Sequence, residues 1–168
     1  MDRNQLVALQ APIKEHYRQA PDAARITLRA AGRLDAGDVV CSVETGRALV
    51  EAGLHPATGG SGLHACSGDM LLQALVACAG VTLGSVATSL ELNVSGSVRA
   101  EGDLDFRGTL GVDKEAAVGF QAIRLFFDLD TDATEEQVAT LIRLTERYCV
   151  VYQTLRAGVP VSLSLTPR

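Results

Sequence analysis

The chain has no tryptophan, and aromatic residues fill only 4% of its 168 positions. So sparse a supply argues against a pocket walled by aromatic rings. Basic clusters are missing too. The formal net charge is −5 and no run of lysine or arginine offers a track for phosphates, which argues against a nucleic-acid partner. No CxxC pair occurs among the four cysteines, so a zinc ribbon is unsupported. His64 and Cys66 form a short HxC, and Cys78 and Cys149 would bring the set to four ligands. That spacing matches no zinc-site pattern, and neither metal nor cofactor is expected. There is no GxSxG elbow, and His16, His55 and His64 fall in a helical stretch or in loops, which leaves little for a hydrolase. The five prolines are scattered, so no Pro-rich linker divides the chain.

The N-terminal stretch MDRNQLVALQAPIKEHYRQ is charged throughout and lacks the apolar core of a signal peptide. The run from Met70 to Leu90 is long and apolar. It is broken by Gln73, Thr82, Gly84, Ser85, Thr88 and Ser89 and has no Arg/Lys flanks, which favours a buried helix over a membrane span. A cytoplasmic protein with no membrane partner is expected. In that compartment its cysteines should be free thiols, not structural disulfides.

What the chain does have is core material: 47% hydrophobic and 21% charged residues. That is the balance of a folded domain. One domain over residues 1–168 is expected, with residues 1–22 as an N-terminal helical extension. Leu6, Leu9, Ile13 and Tyr17 recur near one face of a helix over 4–19. In ARITLRAAGRLDAGDVVCSV two β-prone runs flank GRLDAG, which reads as a hairpin turn. ETGRALVEAG reads as a short helix stopped by Gly53. HPATGGSGLHACSG reads as a long loop, and long loops inside domains are commonly functional. The Met70–Leu90 helix follows, with Ser67 as N-cap, Asp69 in its first turn and apolar or small residues on every face. VSGSVRAEGDLDF and FQAIRLFFDLD read as strands. In the second, Ile123, Leu125, Phe127 and Leu129 alternate with Arg124, Phe126 and Asp128. Asp132 or Thr134 then caps a helix over TEEQVATLIRLTERYCVVYQTLRAG, with Gly158 past its end. VPVSLSL reads as a closing strand. The class is α+β.

Cys78 and Cys149 both fall in predicted helices among apolar neighbours. A free cysteine in such a place packs well as a small hydrophobe. A reactive thiol there needs a positive neighbour or a helix N-terminus. Cys78 stands more than two turns inside its own helix, so an arginine from elsewhere is the expected source.

The segment ACSGDMLLQALVACAGVTL resembles the "SPxELLLAALxACxxxTL" helix of the OsmC/Ohr family, and RLTERYCVVYQTL resembles that family's second helix, written "KYCPVxxxL". The strand, acidic turn and helix of FQAIRLFFDLDTDATEEQ fit as well, so the likeness runs from about Ile26 to Leu165. It implies an OsmC-like fold: antiparallel sheets wrapped around two central cysteine-bearing helices in an intertwined homodimer. It implies a thiol peroxidase acting on organic hydroperoxides, with Cys78 peroxidatic and Cys149 resolving. The reductant would be a dithiol such as a lipoylated protein. An arginine on the N-terminal hairpin would activate the thiolate, Arg33 by local pattern with Arg29 in reserve. The family's usual glutamate position holds Gly68, and Asp69 is the nearest carboxylate. Val150 stands where a proline often follows the second cysteine. Cys66 is an addition at the helix entrance, either a further redox thiol or a bystander, and Cys41 reads as core. The same fold without catalysis would be a module binding a lipid or small hydrophobic ligand in the dimer cavity, or a redox sensor.

Overall fold

A computed structural model describes residues 2–19, 32–34, 40–44, 49–111 and 113–165. Two compact units divide the chain. The first holds Met1–Gln73 and Arg99–Phe126, the second Ala74–Val98 and Phe127–Arg168.

The first unit opens with helix α1, Arg3–Gln19. Asp2 starts it. Its carboxylate accepts from the Gln5 N–H at 2.8 Å while the Gln5 side chain accepts from the Asp2 N–H at 3.0 Å. This reciprocal cap satisfies two donors that the helix start leaves free. Strand β1, Gly32–Leu34, pairs antiparallel with β2, Val40–Glu44, in the register Gly32↔Val43, Arg33↔Ser42, Leu34↔Cys41. The two strands of the expected hairpin pair with each other, and Arg33 is a strand residue, not a turn residue. Residues 24–31, the start of the expected first strand, and Arg29 with them, lie outside the described residues.

The short helix expected over ETGRALVEAG is a misreading. Leu49–Gly53 is strand β3, antiparallel to β2 from Val40↔Gly53 to Glu44↔Leu49. Leu, Glu and Ala favour helices by only tenths of a kcal/mol, and a ready ladder overrides that. A Cβ on Gly53 would stand 2.9 Å from the His64 Cβ, so this strand end accepts only glycine beside His64. The long loop is partly ordered. Pro56–Thr58 forms a 3-10 turn capped by His55, and Ala65–Cys66 forms strand β4. β4 lies parallel to β3, with Ala52↔Ala65 and Gly53↔Cys66. The sheet order is β1-β2-β3-β4, so its last pairing departs from the antiparallel expectation.

Helix α2, Ser67–Ser89, follows β4 directly, with Asp69 in its first turn. Strands β5, Val94–Leu104, and β6, Phe120–Thr131, form a two-stranded sheet, with the short helix α3, Phe106–Thr109, between them in the chain. On the first unit's part of this sheet Arg124 donates to Asp103 at 2.8 Å, and the Arg99 guanidinium sits 3.8 Å above the Phe126 ring. That contact accounts for Phe126 between the polar Arg124 and Asp128 on the same face of β6.

The second unit has its own core. Leu83, Ala87 and Leu141 are buried, with Val86, Leu92, Val94, Phe127, Leu129 and Ile142 packed against them. Helix α4, Glu135–Tyr148, begins at Thr134, whose side chain and that of Gln137 form a complete capping box. Here the sequence reading holds, as does the alternation of β6 at Phe127 and Leu129. The expectation of an α2 buried all round does not hold within one chain. Its buried residues are Leu75, Ala79, Leu83 and Ala87, a single stripe at four-residue spacing, and Val81 is 76% exposed. By length and composition alone α2 would suffice to cross a membrane, yet this stripe packs inside the protein.

Two further expectations are corrected. The single helix over TEEQVATLIRLTERYCVVYQTLRAG is two: α4 ends at Tyr148 and α5 runs Val150–Ala157. VPVSLSL forms no strand. Val161, Leu163 and Leu165 are almost fully exposed, and no described strand pairs with them.

Candidate functional site

The break between α4 and α5 is what builds the site. Cys149 is at once the C-cap of α4 and the N-cap of α5, with φ −72° and ψ 108°. Its N–H closes α4 on the Thr145 carbonyl at 2.9 Å, and its carbonyl accepts the first bond of α5 from Gln153 at 2.9 Å. The N–H groups of Val150 and Val151 therefore have no carbonyl partner within α5. The Cys78 sulfur on α2 lies near both N–H groups and near the Cys149 thiol, and all three favour its anion. The structure thus brings the two sequence-predicted cysteines together, both within the second unit.

Burial alone would push the Cys78 thiol up. The Val151 N–H, the Cys149 thiol, the Val150 N–H and the Thr82 hydroxyl outweigh it and hold Cys78 below the ordinary cysteine range. The Thr82 share is the least, since that hydroxyl already donates its single proton to the Cys78 carbonyl at 2.7 Å. Cys149 goes the other way. Burial raises it, the nearby Tyr152 N–H pulls it down without closing a capping bond, and Cys78 then raises it by accepting its proton and opposing a second negative charge. The surroundings thus favour the anion of Cys78 and oppose that of Cys149. Exposure differs as well: Cys78 is half-buried, while Cys149 is 1% exposed.

Sequence reasoning missed the helix start. It took α4–α5 as continuous and looked to an arginine. Among the described residues the groups favouring the Cys78 anion are main-chain N–H, thiol and hydroxyl. Arg33 is placed on β1 by its backbone, and its side chain lies outside the described residues. A cysteine followed by β-branched Val150 and Val151, in a run otherwise helical, is a weak sign of the break.

Asp69 and Cys66 belong to the first unit. There they line a cavity of about 370 Å³ with Gly68, His55, Phe106 and Phe120. The His55 ring stacks on Phe106 with centroids 5.1 Å apart, and its Nδ1 accepts from the Ala57 N–H at 3.0 Å. Asp103 is also in the wall, its carboxylate held by Arg124. The expectation of no aromatic-walled pocket is corrected: two of the four phenylalanines are concentrated here. His64 lies 3.5 Å from Glu51 on β3. Cys41 is in β2, opposite Ala52. Among the described residues no cluster of three His, Cys, Asp or Glu side chains could hold a metal ion.

A family model described as OsmC-like protein matches residues 59–164. Among solved structures, an OsmC-like protein from Mycoplasma pneumoniae aligns with TM-score 0.65 at 15% identity, covering 79% of this chain and 89% of that one. The organic hydroperoxide resistance protein OhrB of Bacillus subtilis aligns at 0.53 and 19%, covering 84% and 98%. An organic hydroperoxide resistance protein from Elizabethkingia anophelis aligns at 0.59 and 15%, covering 80% and 91%. At such identities the likeness is one of fold. No curated protein matches the chain.

Proposed function

The chain belongs to the OsmC-like protein family, and we propose from its thiol pair that it is a thiol-dependent peroxidase for organic hydroperoxides. The observation that carries this is the asymmetry of two neighbouring thiols: the surroundings of Cys78 favour its thiolate, and those of Cys149 oppose ionisation. The Cys78 thiolate attacks the terminal oxygen of ROOH. The O–O bond breaks, an S–O bond forms and RO⁻ departs. Cys149 supplies the proton that completes ROH. Its own thiolate then attacks the Cys78 sulfenic acid, the S–S bond forms and hydroxide leaves, taking from solvent the proton that Cys78 released on ionising. A dithiol such as that of a lipoylated protein returns the disulfide to two thiols by exchange.

The proposed assembly is an intertwined homodimer in the cytoplasm. The apolar surface left over by one chain supports it: the Val81 side of α2 and the alternating Val161, Leu163 and Leu165 are all exposed, the pattern of a strand and a helix face that a second copy would cover. In that assembly Arg33 is the proposed orienting cation and Asp69 its proposed carboxylate. A second reading draws on the first unit's cavity: a non-catalytic module holding a small hydrophobic ligand against Phe106 and Phe120. The Cys149→Ser variant separates the two. Under peroxidase chemistry it consumes about one equivalent of cumene hydroperoxide and then stops, with Cys78 gaining oxygen atoms by mass. A variant that turns over like wild type removes Cys149 from the mechanism, and one that consumes no peroxide, as wild type also would not, favours the binding module.

A further inference from the structure

We infer that the groove between α4 and α5 is a binding site for a small phosphate ester, held by Arg143, Arg147 and Arg156. It goes beyond the peroxidase reading and uses neither thiol. The three arginines are scattered in the sequence, and the fold gathers them. They line one groove of about 660 Å³, with Glu146, Tyr148 and Gln153 as its other walls. That volume is in the range of small-molecule sites. Arg143 and Arg147 stand four residues apart on α4, on one face of the helix. Arg156 comes from α5 and is drawn back over α4 by a network on Glu146. Its guanidinium donates to the Glu146 carboxylate at 2.7 Å, the Tyr152 hydroxyl donates to the same oxygen at 3.1 Å, and the Gln153 side chain donates to the Glu146 carbonyl at 2.8 Å. The groove is thus fixed by bonds between the two helices.

Its charge is not balanced within the chain. Glu146 is the one carboxylate in the groove, and Arg156 takes it. Arg143 has no hydrogen bond or ion pair among the described residues, and the contact of Arg147 is with the Tyr148 ring, 5.7 Å away. Two positive charges are left over in a chain whose formal net charge is −5. The last turns of α4 and α5 ease the gathering of like charges but do not neutralise them. A dianion does. Guanidinium forks bind carboxylate and phosphate alike. A carboxylate is planar and satisfied by one fork, whereas a phosphate group presents oxygens to cations on several sides. The negative charge of the whole chain repels an extended polyanion, which leaves a compact ligand. Tyr148 is 59% exposed and offers a ring beside the groove to the body of such an ester.

The test titrates the full chain with phenyl phosphate and with benzoate by calorimetry, at one fixed ionic strength. The two probes share a ring and differ in the charge and shape of the head. Phenyl phosphate should bind about tenfold more tightly than benzoate. Arg143→Gln and Arg147→Gln should each weaken phenyl phosphate about fivefold to tenfold. Both positions are exposed, and glutamine suits a helix about as well as arginine does. Arg99→Gln, on β5 and outside the groove, should bind like wild type. Equal affinity for the two probes, no binding of phenyl phosphate, or a loss in R99Q as large as in R143Q overturns the inference. If the α4 variants fail to fold, amide resonances of the wild-type protein decide. Those of 143–148 and 153–156 should move most as phenyl phosphate is added, and a map of shifts centred elsewhere overturns the inference. No readout uses peroxide, so the peroxidase reading stands or falls separately.

Discussion

Cys66 and Cys78 are both half-buried, so exposure does not tell them apart. What faces the sulfur does. Cys78 lies near two main-chain N–H groups at the start of α5 and near the Cys149 thiol, and these favour its anion. Cys66 lines a cavity shared with two carboxylates, Asp69 and Asp103, and two phenyl rings. The first setting gathers donors for an anion. The second offers room for a ligand. The difference teaches that a thiol's chemistry is fixed by the elements that end beside it, here by a helix that breaks at Cys149.

The largest effect tests that contrast outright. Cys78→Ser should reduce peroxide consumption to background in the presence of a dithiol, and Cys66→Ser should leave it near wild type. Equal losses in the two variants would erase the distinction between the sites. The next effect is structural. Leu141 is fully buried in the second unit's core, and Leu141→Ala should cost about 2–5 kcal/mol in denaturant unfolding. A cost well under 1 kcal/mol would mean that this core does not hold the thiol-bearing segments in place.

The smallest effect sharpens the comparison within the pair. Alkylation of Cys78 should rise with pH through a midpoint below the ordinary cysteine value of about 8.5, while Cys149 lags above it. The folded state lowers the Cys78 value. Its thiolate therefore adds stability that is complete above the unfolded value and is lost as pH falls through the folded one. Peptide mapping after timed alkylation reads both sulfurs. Cys149 reacting first in the native protein would reverse the proposed roles.

Much of the fold was legible in the sequence because it is written in local patterns. The Thr134–Gln137 box, the alternation around Phe127 and the stop at Gly158 each follow from neighbours a few residues apart. The misreadings share one cause. LVEAG carries helix formers, yet its strand is imposed by β2, a partner the segment itself does not encode. VPVSLSL has strand character, yet no described strand pairs with it. Most consequential was the break at Cys149. No glycine or proline marks it, and the sequence ERYCVVYQ reads as unbroken helix. The two cysteines were found from their motifs, while the N–H groups that favour Cys78 were not, since main-chain donors leave no residue type to recognise.

The account stands most directly on which thiols disappear when the protein meets one equivalent of cumene hydroperoxide, read by intact mass and peptide mapping. It predicts a loss of two hydrogens, a disulfide between Cys78 and Cys149, and free Cys41 and Cys66. Four intact thiols with the hydroperoxide unconsumed, or a disulfide that leaves out Cys78 or Cys149, would contradict it.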